Sequence, residues 1–405
     1  MERNFPKAKI TKKGELSLKG GHPWVFDAEV KEISGSCENG DLVDVFSEKE
    51  RYLGTGFIND NSKIRIRLIS RNANDKFDED FYRRRIRWAL EYRKTVMGED
   101  FSCCRLIFGE ADMFPGLTVD KFSDILSVQV LSLGTERIKD MLFKLLTETL
   151  SEMGYPVRAI YERNDVAIRE KEGLTQYKGF YKKEGLSDDL DGHVQINENG
   201  IIYDVDYING QKTGFFLDQK YNRLAIRKIA KGRRVLDCFT HTGSFALNAA
   251  AGGASYVNAV DISEDALNTA RENARLNSLN LDFTKADVFD LLTEMEISKK
   301  CDYDFIILDP PAFTKSSATV KNAYYGYKEI NKKAMKLLPR GGYLATCSCS
   351  HFMKNELFVK MLKEAASEAS VSLRQIECRQ QSADHPILWN VPETDYLKFY
   401  IFQIV

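Results

Sequence analysis

The sequence has no apolar run long enough to span a membrane, and its opening stretch, MERNFPKAKITKKG, lacks the apolar core of a signal peptide. Both absences predict a cytoplasmic chain with no membrane partner. Eight cysteines without one C-x-x-C pair speak against zinc or any other metal role, and they make no disulfide framework in 405 residues. Net charge is −1, so no global basic signal points to nucleic acid. The distribution is less even. Residues 1–94 hold 20 Lys+Arg against 16 Asp+Glu, which leaves 38 against 43 for the remainder. This asymmetry predicts an anionic partner at the N-terminal end. Also missing is G-x-G-x-x-G, the turn whose amides meet a pyrophosphate, so a dinucleotide is poorly served.

What is present centres on residues 232–262, GRRVLDCFTHTGSFALNAAAGGASYVNAVDI. Val235 and Leu236 lead into Asp237, residues 238–242 make a polar turn, and Gly243 opens a helix of small residues. A second strand over 256–260 closes on Asp261. Such a βαβ unit holds a ligand over the strand ends, at the helix N-terminus. With Gly243 alone in the turn, beside Thr240, an adenosine without phosphates fits better, and S-adenosylmethionine is the common one. Asp261 is expected on the ribose hydroxyls, Asp237 near the amino group, and Asp287-Val288 beside the adenine.

Three blocks are expected along the chain. Residues 1–72 read as a small β-barrel with short strands over 41–46, 52–58 and 63–69. In KIRIRLI, alternation sends Ile64, Ile66 and Leu68 inward and leaves Lys63, Arg65 and Arg67 on an outer face. With Trp24 nearby, these basic and aromatic groups suit RNA, or else form an ordinary half-solvated strand. Residues 73–209 form a central α+β domain, with helices over 78–97 and 136–153 and a hairpin turning at Asn199-Gly200. The link 211–223 contains Phe216 and Asp218, which are expected over the cofactor or, more blandly, at a helix start. Residues 210–405 alternate strands and helices and end on a pair of strands, a doubly wound, Rossmann-like α/β domain.

Two further strand ends carry chemistry: Asp309-Pro310-Pro311-Ala312-Phe313 and Cys347-Ser348-Cys349-Ser350. A cysteine and an acid around one flipped base suit methylation of cytosine at C5. The thiolate adds to C6, and the acid (Asp309) stabilises N3. Together with GQKTGFFLDQ at 210–219 and QQSADHP at 380–386, these motifs resemble the class I S-adenosylmethionine-dependent RNA methyltransferases. The nearest likeness is the bacterial 23S ribosomal RNA cytosine-C5 methyltransferase family with an N-terminal PUA domain, and it runs along nearly the whole chain. That resemblance implies a seven-stranded methyltransferase domain, 23S ribosomal RNA as substrate, Cys349 as nucleophile with Cys347 structural, and leaves a homodimer open. Phe313 would meet the base. Two rivals stand beside it. One is methylation of an exocyclic nitrogen, since DPPAF half matches the (Asp/Asn)-Pro-Pro-aromatic motif. The other is a non-catalytic RNA-binding protein.

Overall fold

In the stretch 63–69 Ile66 and Leu68 are buried and Lys63 is exposed, as alternation requires. The computed structural model describes residues 4–314 and 316–405, and it makes this stretch the strand Ile64–Ser70 of a six-stranded sheet. The other strands are Lys7–Ile10, Trp24–Phe26, Val30–Ser34, Leu42–Ser47 and Tyr52–Ile58. Ala8, Ile10, Val25, Val43, Val45, Ile58, Ile66 and Leu68 form its core. Two strands approach so closely at Gly56 that a Cβ would lie 2.2 Å from the Arg67 carbonyl oxygen.

The expected outer basic face is largely absent. Arg67 donates to Glu172 at 2.8 Å and to Glu110 at 3.2 Å, and its side chain is 13% exposed. Trp24 donates its indole N–H to the same Glu110 oxygen at 2.9 Å. Arg65 pairs with Asp60 at 2.6 Å. These carboxylates come from loops and distant segments, so strand periodicity gave no hint that they would cover the arginines. Lys63 alone of the three keeps an exposed side chain.

The chain divides into two compact units. The first takes it up to Ile196, then Val205–Leu217 and Ala383–Thr394. Besides the six-stranded sheet it contains helix Glu79–Met97, capped by Asp78, which accepts from the Phe81 amide at 3.0 Å. The strip of arginines on this helix is partly neutralised: Arg83 pairs with Glu148 and Arg87 with Glu152, both at 2.8 Å, on helix Lys139–Glu152. A five-stranded sheet follows, built from Cys103–Phe108, Leu117–Phe122, Ile125–Val130, Ala159–Asn164 and Tyr177–Phe180. The late segment is held here by Asp384, which is wholly buried. Its carboxylate accepts from the Arg105 amide at 2.8 Å and its carbonyl from Arg93 at 3.0 Å.

The second unit takes Asn197–Asp204, Asp218–Ser382 and Asp395–Val405. We number its seven strands β1 (Arg234–Cys238), β2 (Tyr256–Asp261), β3 (Asp282–Lys285), β4 (Phe305–Leu308), β5 (Tyr343–Ser348), β6 (Leu373–Arg379) and β7 (Lys398–Ile404). Their order is β3-β2-β1-β4-β5-β7-β6. The first five run parallel, and β7 is antiparallel to both its neighbours. Parallel strands bury both faces, which is why β4 reads as four apolar residues. Leu236, Ile306, Leu308, Leu344, Tyr327, Ile330 and Phe358 belong to one core.

The hairpin of His193–Glu198 and Ile201–Asp206 turns at Asn199 and Gly200, with φ of 54° and 78°, the left-handed pair expected of this turn. Its tip belongs to the second unit. There Asn277 accepts from the Ile202 amide at 2.8 Å and donates back to its carbonyl at 2.6 Å, so a side-chain amide completes the hairpin edge. Helices Lys12–Lys19 and Val288–Ser298 escaped the periodicity reading, as did the short strands Lys7–Ile10, Val30–Ser34 and Tyr177–Phe180. No described helix is long and apolar enough to cross a membrane.

Removing the Arg67 side chain would leave Glu172, 4% exposed, without this cation. Arg67→Ala is therefore expected to destabilise the first unit by roughly 3 kcal/mol. A fall in its thermal unfolding midpoint, with no RNA present, checks this. An unchanged midpoint would return Arg67 to the set of free surface cations.

Candidate active site

The turn after β1 is strained in a way its sequence permits but does not announce. Phe239, His241 and Gly243 adopt positive φ of 63°, 50° and 79°. For Phe and His that region is disfavoured, and such residues cluster at functional sites. Glycine is needed at 243 for a second reason, since a Cβ there would lie 2.9 Å from the Ala270 Cβ. The turn is held from both sides. The Thr240 amide donates to the Val260 carbonyl at 2.9 Å, and the His241 amide donates to Asp261 at 2.9 Å. The other Asp261 oxygen accepts from the Ser263 amide at 2.9 Å. Asp261 thus shapes the turn, with carboxylate lone pairs to spare.

Asp237 is fully buried at the end of β1. One oxygen accepts from the Thr240 hydroxyl at 2.6 Å and the Ala246 amide at 2.9 Å. The other, Oδ1, has no hydrogen-bond partner among the described residues. Burial pushes this acid up to about 7. The charges of Asp309 and Asp261 add to the rise, and the bonds from Thr240 and Ala246 oppose it. A buried acid with one oxygen open, between two further acids, has the chemistry to accept a cationic group. S-adenosylmethionine carries an ammonium and a sulfonium, so its chemistry fits this donor-poor, anionic edge.

Asp287 has a structural task. It caps helix Val288–Ser298 by accepting from the Phe289 amide at 2.8 Å and the Asp290 amide at 3.3 Å. The Ala286 amide donates to the Asp261 carbonyl at 3.1 Å, which brings this segment alongside the end of β2. Val288 is buried. In the link, Phe216 lies in the first unit with the Lys212 ammonium 4.6 Å from its ring centroid, whereas Asp218 lies in the second unit and accepts from the Tyr396 hydroxyl at 2.6 Å.

Asp309 follows β4 and meets the end of β5, because Leu308 pairs with Thr346 in the parallel register. The cysteine that touches Asp309 is Cys347. Its thiol donates to Asp309 Oδ1 at 2.9 Å, and Gln219 donates to the same oxygen at 3.3 Å. Gln219 is held in turn by Asn222, which donates to it at 2.6 Å. Cys347 is fully buried, and burial first, then Asp309, pushes its thiol well above the ordinary range. Cys349 lies two residues on, past the end of β5, and is partly accessible. Phe313 packs its ring on Tyr327, 4.5 Å between centroids, and on Phe289 at 5.9 Å.

Sequence reasoning placed Gln219 in the link expected over the cofactor and overlooked Asn222 and Lys398. Asn222 sits in the same polar link, which has no periodic signature. Lys398, at the start of the otherwise apolar KFYIFQI, was visible as a charge in a buried strand.

Comparison with known proteins agrees with this architecture. A family model described as S-adenosylmethionine-dependent methyltransferase matches residues 166–402, and one described as a PUA-like domain matches residues 8–71. Ribosomal RNA large subunit methyltransferase I of Pseudoalteromonas translucida is 40% identical over 394 residues, covering 96% of this chain and 97% of that protein. The protein of the same name from Aeromonas salmonicida is 40% identical over 393 residues, with the same coverage of 96% and 97%. A solved structure described as a SAM-dependent methyltransferase from Streptococcus mutans superposes with a TM-score of 0.80 at 21% identity, covering 98% of this chain and 99% of that one. At that identity it speaks for the fold alone.

The Asp237 environment has a measurable consequence. Its acid is raised in the folded state from 3.8 to about 7, so its protonation favours folding fully below about 3.8 and ceases to do so as pH rises through about 7. The stability of wild type relative to Asp237→Asn should fall between pH 4.5 and 7.5 and level off above. Paired thermal midpoints across that range check it, and a constant difference would refute it.

Proposed function

Because this chain belongs to the S-adenosylmethionine-dependent methyltransferase family, carries a PUA-like domain and groups with the ribosomal RNA large subunit methyltransferase I proteins, we propose that it methylates C5 of a cytosine in 23S ribosomal RNA, with Cys349 as nucleophile. The observation that carries this reading is the pair of cysteines. Cys347 is sealed against Asp309, while Cys349, at the same sheet edge, remains accessible.

Asp237, Thr240, Gly243 and Asp261 would hold the cofactor, with the open oxygen of Asp237 taking a cationic group. Asp218, Asp287 and Val288 are the further cofactor contacts we propose. Bound S-adenosylmethionine supplies a methyl electrophile on a positively charged sulfur. Cytosine C5 is too weak a nucleophile to take it unaided. The Cys349 thiolate adds to C6, the displaced electron pair moves towards N3, and Asp309 shares a proton there, leaving C5 electron-rich. After methylation the C5 proton is lost, the C6–S bond breaks, and the thiolate departs. Gln219 and Cys347 orient the Asp309 carboxylate for this task.

On the RNA side, Lys63 is the phosphate contact we propose for the PUA-like domain, and Trp24, opposite Arg67 across the sheet, the aromatic one. Arg65 and Arg67 would reach RNA only by leaving their carboxylates. Phe313 would border the flipped base. Extracting that base costs a few kcal/mol, so unpaired or strained RNA is the favoured substrate.

The test is covalent trapping on 23S ribosomal RNA containing 5-fluorocytidine, with wild type, Cys347→Ala and Cys349→Ala. The expected result is a methylated adduct that survives denaturation and is lost only in Cys349→Ala. No adduct, together with methylation of normal RNA by Cys349→Ala, would transfer the assignment to an exocyclic nitrogen. On normal RNA, Asp309→Asn should slow methyl transfer by roughly 10²–10⁴-fold; single-turnover rates check this, and a wild-type rate would remove Asp309 from the chemistry.

A further inference from the structure

Lys398 opens β7 opposite Ser348, and only 5% of it is exposed. Its ammonium donates to the Ser350 carbonyl at 2.7 Å and to the Tyr396 carbonyl at 2.8 Å. Ser350 is the residue after Cys349, so this cation is anchored on the very backbone that presents the thiol. Among the described residues no carboxylate is within ion-pair distance of it, and two of its three N–H groups are accounted for by carbonyls. A buried ammonium without a counter-ion is costly, and a strand that is otherwise apolar could close with Met or Gln instead. The fold alone does not explain a lysine here.

We propose that Lys398 is the positioning residue that stabilises the Cys349 thiolate, with its remaining N–H directed to the ionised sulfur. This rests on the reading of Cys349 as the nucleophile. The thiolate is the reactive form, and an unassisted cysteine is only a few per cent ionised at pH 7. Lys398 is coupled to Cys349 by charge as well as through the backbone they share at Ser350. Asp395 favours the charged form of Lys398. Tyr327 and Cys347, both pushed up by burial, remain neutral. Lys354 is a further cation acting on Lys398, but it is exposed and screened by water and salt. Burial lowers Lys398 itself to about 8; Lys354 adds to the fall, while Cys349 and Asp395 oppose it. The ammonium therefore stays mostly protonated at pH 7, and pairing with a thiolate would hold it so. In this arrangement the Cys349 proton leaves to solvent and Lys398 keeps its own.

The experiment follows alkylation of Cys349 by iodoacetamide from pH 5.5 to 10 on the full chain, read at that residue by peptide mass spectrometry. The wild-type midpoint should lie at least one unit below the ordinary cysteine value of about 8.5. Lys398→Met should move it up by about one unit or more, a roughly tenfold loss of thiolate at pH 7. Lys398→Arg should keep it low, and Lys354→Met should leave it where it was. Retained cofactor binding and thermal midpoint certify the fold of each variant. An ordinary wild-type midpoint overturns the proposal with no variant needed, as does a low midpoint unmoved in Lys398→Met. Methyl transfer surviving in Cys349→Ala would instead overturn the nucleophile reading, and the two failures are told apart by which measurement breaks.

Discussion

Parallel strands deliver their carboxyl ends to one edge of the sheet, and in the second unit that edge is acidic. Asp237, Asp261 and Asp309 stand at the carboxyl ends of β1, β2 and β4, which are immediate neighbours, so three carboxylates converge where the chain turns away. Their mutual repulsion is part of why Asp237 is raised to about 7. Everything else at the edge accommodates this crowding. Thr240 and Ala246 satisfy one Asp237 oxygen, backbone amides satisfy Asp261, and Cys347 with Gln219 satisfies Asp309. What is left over is one buried oxygen and a negative field, which a cationic cofactor would neutralise.

The same edge separates two cysteines that differ by two positions. Inside β5, the pleat turns Cys347 towards Leu308 and Asp309, and packing seals it. One residue beyond the strand, Cys349 escapes that packing while staying close to the buried cation of β7. Strand termination, rather than residue identity, makes one thiol a buried hydrogen-bond donor and leaves the other partly accessible.

In the first unit, charge is used for cohesion. Arg67 joins Glu110 and Glu172, which are far apart in sequence, and Arg93 with Arg105 ties the late segment at Asp384 to helix and sheet. These contacts explain why basic residues on an alternating strand are a poor guide to a nucleic-acid surface. An arginine in that pattern is equally suited to brace a neighbour.

By itself the sequence determined most of the secondary-structure periods, the βαβ unit, the alternation of strands and helices after residue 210, and the acids at strand ends, because each depends on local alternation and turn chemistry. Asn199-Gly200 and Gly243 were legible for the same reason: their backbone conformations are intrinsic to a few residues. Helix Val288–Ser298 was missed since its cap, Asp287, read equally well as a ligand contact. Only the tertiary structure decided which cysteine meets Asp309, which oxygen of Asp237 stays open, and that Lys398 lies against the Cys349 segment. It alone sent the hairpin tip and residues 383–394 to units their neighbours in sequence do not share. Hydrogen bonds and desolvation depend on groups brought together from hundreds of residues apart, and no local pattern encodes those meetings.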